Sequence, residues 1–482
     1  MARITFPSLR TLKSLFHIVS PIEYEGDDTV ISGLCNDSRE CLPGDLFIAV
    51  SGSSLNSAQF ITQAISKGAA AVLVSKADVV SESIPFIRVK DTKKIISELA
   101  GFLLDSPSMK LTVIGVTGTN GKTTTSWIAQ HMLESVGIRA LRIGTLGAEI
   151  KDVFFEDFGL TTPDPIKLQS LLFEAVKLGA KAVVMEVSSH ALHQSRVNGI
   201  HFDGVIFTNL TRDHLDYHGT EDEYYKAKAS LFSLLKTSKK TRKISIIAGH
   251  DHWSERAFND SLASIKNTKK ISHASEVSIT LEGSSFKYEN NQFKTPYVGL
   301  YNIENFLCAY EALKGLGFAI SKSESLPAVP GRLEQVSKGI FIDYAHTPDA
   351  LENALSTLRK LTSGKLIVAF GCGGDRDKGK RKIMGEISSR LADKVIITSD
   401  NPRTEDPSLI IEDIAEGSFG HFEKIVDRRE AIQNGVRLLS DGDIFLIAGK
   451  GHEEYQVIGT EKKHFSDKEE VLKFLSPGGA HV

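Results

Sequence analysis

The sequence predicts an α/β protein of three domains, with a small N-terminal α/β unit, a central unit on a mostly parallel sheet, and a C-terminal α/β unit. Three observations predict it. The 482 residues exceed what one hydrophobic core organises, and at roughly 150 residues per domain they divide into about three. Short apolar runs alternate with helical stretches along most of the chain, the pattern of βαβ units around a parallel sheet. Turn and hinge signatures at Asp105-Ser106-Pro107-Ser108 and from Pro327 to Gly331 place the boundaries at 1–108, 109–329 and 330–482.

Composition narrows the function classes. With 41% hydrophobic and 24% charged residues, each domain has a normal core, and the disordered and fibrous classes are excluded. The 57 basic and 60 acidic residues give a net charge of −3, which supplies no field for a nucleic acid or an anionic membrane, so any phosphate must be bound locally. Cys35, Cys41, Cys308 and Cys372 lack C-x-x-C spacing, against zinc clusters or a disulfide scaffold and in favour of a reducing compartment. Arg3, Arg10 and Lys13 are followed by no signal-type apolar region, and no apolar run approaches the roughly 18 residues of a membrane span. The cytoplasm is the expected location.

In the first segment Gly44-Asp45-Leu46-Phe47-Ile48-Ala49-Val50 reads as a turn into a buried strand. A helix over Ala58 to Lys67, a strand over Ala69 to Val74 and a helix over Thr92 to Leu104 follow. The second segment opens with the strand Leu111-Thr112-Val113-Ile114-Gly115-Val116, and its βα alternation continues to about residue 320. Within it, Lys266 to Thr295 shows strand-like alternation, as in Val277-Ser278-Ile279-Thr280-Leu281, and is expected to be antiparallel structure attached to the main sheet. The third segment carries apolar strands at 340–342, 366–370, 394–398 and 444–448 with helical stretches between, in the manner of a Rossmann-like domain. No internal repeat or low-complexity tract occurs.

The central strand runs into Thr117-Gly118-Thr119-Asn120-Gly121-Lys122-Thr123-Thr124-Thr125 and then a helical stretch from Ser126 to Val136. A strand, a glycine loop and a helix start make an anion site of the P-loop type, because glycine lets backbone N–H groups close on phosphate and the helix dipole favours negative charge. Lys122 is placed for the β and γ phosphates, and the Thr123 hydroxyl can ligand Mg²⁺. The general pattern wants glycine where Val116 stands, one residue after Gly115. A dinucleotide-binding G-x-G-x-x-G is not supplied, which excludes the dehydrogenase reading.

The motif Gly118-Thr119-Asn120-Gly121-Lys122-Thr123 resembles that of the Mur ligases and their folylpolyglutamate synthetase relatives, which join an amino acid to a carboxylate using ATP. The match extends through Met185-Glu186-Val187-Ser188-Ser189-His190, Thr208 to His218, Tyr301-Asn302-Ile303-Glu304-Asn305, Pro330-Gly331-Arg332-Leu333-Glu334 and Asp343-Tyr344-Ala345-His346-Thr347-Pro348-Asp349. The chemistry asks for these residue types independently: a carboxylate attacking the γ-phosphate brings like charges together and requires cations around the phosphoryl group.

The resemblance implies ATP as substrate and Mg²⁺ as cofactor, with ATP held by Gly118, Thr119, Asn120, Gly121, Lys122, Thr123, Thr124, Asn305, Arg332, Asp343 and His346. Arg332 with Asp343 also reads as a structural ion pair. Catalytic roles fall on Lys122, Glu186, His214 and Lys228, and metal binding on Thr123, Glu186, His214 and Lys228 as a carbamate. Lys226 is the competing assignment for the modified lysine.

The substrate is implied by residues outside the ATP motif. Asn36 and Ser38 of Asn36-Asp37-Ser38-Arg39 resemble the uridine-contacting element, while Asn56-Ser57, after Gly52-Ser53-Ser54-Leu55, replaces the family's acidic-glycine pair. Thr161, Thr162, Ser188, Gln194 and Arg196 resemble the set that holds a UDP-N-acetylmuramoyl dipeptide. Asp400-Asn401-Pro402-Arg403 resembles the motif of members adding meso-diaminopimelate rather than L-lysine, and an Arg fork suits the extra carboxylate. Arg376, Gly449 and Glu453 match the other positions contacting this amino acid. The resemblance implies small-molecule partners only and a monomer, in peptidoglycan precursor synthesis. A folylpolyglutamate synthetase and an ATP-binding switch or scaffold that ligates nothing are the alternatives.

Overall fold

The computed structural model describes residues 3–50, 57–78, 80, 83–151, 153–156, 158–320 and 326–476. Most of the loop Gly52-Ser53-Ser54-Leu55-Asn56-Ser57, where the family's acidic-glycine pair is replaced, lies outside the described residues.

The architecture is α/β, with three large sheets as the alternation predicts. The N-terminal sheet has six strands in the spatial order Arg3–Thr11, Val30–Cys35, Asp45–Ile48, Ala71–Ser75, Phe86–Val89, Glu23–Glu25. Its four inner strands are parallel and its two edges antiparallel. Buried Leu46, Ile48, Leu73 and Ile87 meet Leu99, Ala100 and Leu103 of the helix Thr92–Leu103. Asp91 starts that helix by accepting from the Lys93 N–H, which satisfies one orphan donor.

The turn at Asp105-Ser106 is not an open linker. Asp105 and Ser106 take left-handed φ of 58° and 49°, and a 3-10 turn Pro107–Lys110 with buried Pro107 and Ser108 follows. Ile166 and Phe173 of the helix Pro165–Lys177 pack into the N-terminal core, so the first two units share apolar surface.

The central sheet has eight strands in the order Val153–Glu156, Gly147–Ile150, Ala140–Gly144, Ala182–Glu186, Thr112–Thr117, Gly204–Phe207, Ile244–Ile247, Thr268–Lys270. Six are parallel, and the hairpin strands Gly147–Ile150 and Val153–Glu156 are antiparallel. The chain passes from one side of Thr112–Thr117 to the other between Ala182–Glu186 and Gly204–Phe207. Such a reversal opens a crevice at the carboxyl ends of the strands, where open α/β sheets bind ligands.

The 266–295 region divides. Thr268–Lys270 is a parallel edge strand of the main sheet, while Ser275–Thr280, Gly283–Tyr288 and Asn291–Thr295 form a separate antiparallel sheet. Phe286 and Phe293 of that sheet pack edge-on against Phe306 and Tyr310 of the helix Leu300–Gly315, so apolar packing rather than strand pairing attaches it.

The third sheet has six strands, Glu334–Ser337, Ile340–Asp343, Ile444–Ala448, Leu366–Phe370, Lys394–Ile397 and Phe422–Lys424 in spatial order, parallel except for the first. A buried ion pair closes its end: Arg428 Nε donates to Asp467 Oδ1 at 2.7 Å, with both side chains 0% exposed. Among the described residues no helix is long and apolar enough to cross a membrane.

Candidate active site

The glycine loop sits at the end of the strand Thr112–Thr117, with buried strands on both sides. Gly118 has φ 147° and approaches Thr208 so closely that a Cβ there would lie 1.9 Å from Thr208 Oγ1. Only glycine fits. Gly115 belongs to the strand, not the loop, and a Cβ on it would sit 2.8 Å from the Phe202 ring. The helix begins at Lys122, four residues before the sequence expectation, and runs to Ser135 with Ile128, Ala129, Met132 and Leu133 buried. Lys122 Nζ donates to the Gly118 and Thr119 carbonyls at 2.9 and 2.8 Å. Burial pulls this ammonium below its usual value, against the opposing fields of Glu186 and Asp213.

Glu186, at the end of its strand, is completely buried and held from several sides. Thr123 Oγ1 donates to Glu186 Oε2 at 3.0 Å, and the Thr145 N–H donates to Oε1 at 2.9 Å. Thr145 Oγ1 donates to Oε2 at 3.1 Å. Gly144 makes room, since a Cβ there would lie 2.0 Å from Glu186 Oε1. A threonine hydroxyl beside a carboxylate is a hard oxygen set suited to Mg²⁺.

Lys228 and Lys226 have opposite environments. Both lie on the helix Glu221–Thr237, two residues apart and thus on different faces. Lys226 is exposed and paired with Asp222 at 2.7 Å and Glu223 at 2.8 Å. Lys228 is 1% exposed, donates to the Gly118 carbonyl at 2.7 Å, and lies 4.3 Å from the Tyr224 ring centroid. Burial drives its ammonium far below the usual lysine value, and the Lys122 charge adds to the push. His214 takes φ 54° at the start of the turn Leu215–His218, with its ring 3.3 Å from Asp213 Oδ2. Burial drives the imidazole toward its neutral form, which leaves a lone pair for a cation.

The third domain closes over these groups. A cavity of about 240 Å³ is lined by the glycine loop, Glu186 and His214 from below and by Arg332, Asp343, Tyr344 and His346 from above. Arg332 Nη2 donates to Thr123 Oγ1 at 3.1 Å, and its guanidinium lies 4.3 Å from the Tyr344 ring centroid. The Arg332–Asp343 ion pair does not form: Asp343 Oδ2 accepts from the Leu333 N–H at 2.6 Å, and burial raises its carboxyl to about 6. Asn120 Nδ2 donates to Asp349 Oδ2 at 2.9 Å, a second link between the units. The His346 imidazole is pushed down to about 4 by burial, and its carbonyl accepts from Lys380 at 2.8 Å. Asn305 is buried beside the loop and accepts from Thr125 Oγ1 at 3.3 Å.

Of the expected UDP-dipeptide set, Asn36, Gln194 and Arg196 line a cleft of about 410 Å³ between the first two units, together with Lys93, His193 and Tyr217 among others. Arg196 Nη1 donates to the Thr162 carbonyl at 2.8 Å, and its Nη2 to Gln194 Oε1 at 2.6 Å. Ser188 and Thr162 do structural work as well: Ser188 Oγ caps the helix Ser189–His193, and Thr162 Oγ1 donates to the Glu186 carbonyl at 3.0 Å. Thr161 lines the central cavity with Thr145. Asn36 Oδ1 is buried without a protein partner, while Ser38 Oγ is engaged with Gln63 Oε1 at 2.6 Å. Both border a second cleft with Phe47 and Phe60.

The expected amino-acid set gathers at the carboxyl ends of Leu366–Phe370, Lys394–Ile397 and Ile444–Ala448. Arg403, at φ 52°, donates from Nη1 to the Gly374 carbonyl at 2.8 Å, and Pro402 precedes it in the same turn. A Cβ on Gly373 would lie 2.8 Å from Arg403 Nη1 and 3.9 Å from Arg376 Cγ, so the two arginines flank one glycine. Asp400 Oδ2 is buried and unpartnered near Gly449. One Glu453 oxygen is already held, by Asn401 Nδ2 at 2.9 Å and Lys450 Nζ at 3.0 Å.

Sequence reasoning left Asp213, Thr145, Tyr344, Asp349 and Lys450 without roles. Asp213, Tyr344 and Asp349 stood inside recognised motifs, whereas Thr145 carried no signal, because its carboxylate partner is 41 residues away.

The Mur ligase middle domain family matches residues 116–313, the Mur ligase glutamate ligase domain family matches 331–451, and the Mur ligase catalytic domain family matches 30–102. A UDP-N-acetylmuramoyl-L-alanyl-D-glutamate–2,6-diaminopimelate ligase of Geobacter sulfurreducens is 39% identical, over 96% of this chain and 98% of its own. The ligase of the same description from Synechococcus elongatus is 41% identical, over 93% and 95%. A solved structure bearing that description has a TM-score of 0.67 at 33% identity, covering 95% of this chain and 98% of its own. In fold alone the chain also resembles MurF of Thermotoga maritima in complex with ADP, with a TM-score of 0.64 at 18% identity over 91% of this chain and 96% of that one. With the three family models matched in order along the chain and a glycine loop facing Arg332 across one cavity, the chain belongs to the Mur ligase family.

Proposed function

We propose that the protein is an ATP-dependent ligase joining meso-diaminopimelate to UDP-N-acetylmuramoyl-L-alanyl-D-glutamate through an acyl-phosphate, in peptidoglycan precursor synthesis. The observation that carries the reading is the single cavity in which Lys122, Thr123, Glu186 and His214 face Arg332, Asp343 and His346. ATP enters that cavity, with its phosphates on the loop from Gly118 to Thr124 and its base toward Asn305. Mg²⁺ held by Thr123, Glu186 and His214, with Lys228 as a carbamate, would offset the like charges of carboxylate and γ-phosphate. Lys228 suits that modification because burial disfavours its ammonium form and so favours the amine that is nucleophilic toward carbon dioxide, whereas Lys226 is a surface group paired with Asp222.

The segment 1–108 holds the UDP end through Asn36 and Ser38, 109–329 binds ATP, and 330–482 binds the amino acid. Thr161, Thr162, Ser188, Gln194 and Arg196 orient the dipeptide so that its D-glutamate γ-carboxylate takes the γ-phosphate. Arg403, with Arg376, binds the distal carboxylate of diaminopimelate, and Asp400, Asn401, Gly449 and Glu453 complete the amino-acid site. The amine then attacks the acyl carbon, phosphate leaves, and the amide remains. Docking of the third domain through Arg332 and Asn120 excludes water from the acyl-phosphate. We place this reaction in the cytoplasm, on a monomer.

The test is phosphate release with ATP, Mg²⁺ and the UDP-linked dipeptide, offering meso-diaminopimelate and L-lysine in parallel. Turnover with diaminopimelate alone supports the reading. Preference for lysine removes the Arg403 argument, and no turnover with either removes the substrate assignment.

A further inference from the structure

His250, His273 and Glu304 stand outside every role described so far, and their donor atoms all lie within 4.8 Å of one another. The fold brings them together. Ile244–Ile247 and Thr268–Lys270 are adjacent parallel strands, so the loops leaving their carboxyl ends emerge side by side. His250 follows Gly249, which turns at φ 80°, and His273 lies just past Ile271, whose N–H pairs with the Ile247 carbonyl at 2.9 Å. The two rings sit with centroids 4.0 Å apart. Glu304 projects from the helix Leu300–Gly315, where it also lines the central cavity.

Among the described residues, none of the three side chains is engaged in a hydrogen bond or ion pair. The neighbouring charges are already committed: Asp251 accepts from the Ser254 N–H at 2.8 Å, and Lys270 pairs with Glu255. We propose that His250, His273 and Glu304 form a transition-metal site for Zn²⁺ or a similar divalent ion, separate from the magnesium chemistry of the reaction. Two imidazoles and one carboxylate are a borderline donor set that selects zinc, cobalt or nickel over Mg²⁺. Bonds of about 2.0–2.1 Å place tetrahedral donors roughly 3.3 Å apart, so modest rotations of two exposed rings close the cluster. Three protein ligands leave a coordination position open at the edge of the nucleotide cavity.

Equilibrium dialysis and visible spectroscopy of the full chain with Co²⁺, in excess Mg²⁺ and without nucleotide, test the site. The wild-type protein should bind one more equivalent than the H250A/H273A double variant and show tetrahedral ligand-field bands that the variant lacks. E304Q should weaken that equivalent at least tenfold. The histidines around His214 are unchanged in both variants, so cobalt bound there cancels in the difference. Equal stoichiometry and equal spectra in wild type and H250A/H273A, with circular dichroism showing both folded, would overturn the proposal.

Discussion

Arg332 of the third domain donates a 3.1 Å hydrogen bond to Thr123 of the glycine loop, and the same hydroxyl donates to Glu186 at 3.0 Å. On the proposed reading, nucleotide binding and domain docking share one hydroxyl. A lysine retains the charge at position 332 but cannot reproduce the planar fork. R332K is expected to lower kcat/KM for ATP by about 10- to 100-fold, on the scale of a charged hydrogen bond of about 1.5–3 kcal/mol. Steady-state phosphate release measures it, and a change under threefold would count against the link.

Lys228 and Lys226 separate a buried amine from a solvated one. K226A is expected to retain activity within about twofold, as for an exposed ion pair. K228A should lose activity by more than 100-fold, on the scale of about 3 kcal/mol for one electrostatic stabiliser at a reacting centre. Degassed, bicarbonate-free buffer should depress the wild-type rate and added bicarbonate restore it, with no response from K228A. A bicarbonate-insensitive wild type would remove the carbamate from the mechanism.

Arg403 is held by the Gly374 carbonyl in a left-handed turn, so its side chain is preset rather than free to search. R403A should raise KM for meso-diaminopimelate by about 10- to 100-fold, the value of one charge-assisted contact, and narrow its advantage over L-lysine. Parallel assays with both amino acids measure this. Equal losses on both substrates would show a structural role instead.

The Arg428–Asp467 pair has no solvent on either side, and Arg428 Nη2 also donates to the Ala448 carbonyl at 3.0 Å beside the Gly449 turn. D467A strands a buried guanidinium and should cost about 3–5 kcal/mol, read by urea unfolding. R428M/D467L should recover most of that loss, because neither charge then remains buried.

His346 and His452 are pushed by burial from 6.5 down to about 4 and about 3. The unfolded chain takes up these protons near pH 6.5, whereas the native state resists them, so their stabilising contribution is present above pH 6.5 and is lost as pH falls toward 4. Thermal unfolding from pH 8 to 4 should show a declining midpoint below 6.5, with a shallower decline in H346Q/H452Q. An identical slope would exclude these two rings as its source.

Local patterns in the chain determined a good deal. The glycine loop was legible because strand, turn and helix start are consecutive, and Lys122 bonds the neighbouring Gly118 and Thr119 carbonyls. The four inner strands of the third sheet were legible because each is a short, largely buried apolar run, whereas the polar, partly exposed edge strands Glu334–Ser337 and Phe422–Lys424 gave no such signal. The 266–295 region was not, since three polar residues at Thr268–Lys270 read alike as an edge strand of one sheet or the start of another. What only the tertiary structure decided involves partners far apart in sequence. Arg332 reaches Thr123 across 209 residues, and Thr145 holds Glu186 with no motif to announce it. Which of Lys226 and Lys228 is buried depends on the face its helix turns to the sheet, and Arg332 binds a hydroxyl instead of Asp343 because docking offered that acceptor while the Leu333 N–H had taken the carboxylate. Periodicity and turn chemistry act over a few residues, so sequence exposes them directly; desolvation and cross-domain contacts exist only once the sheets have packed.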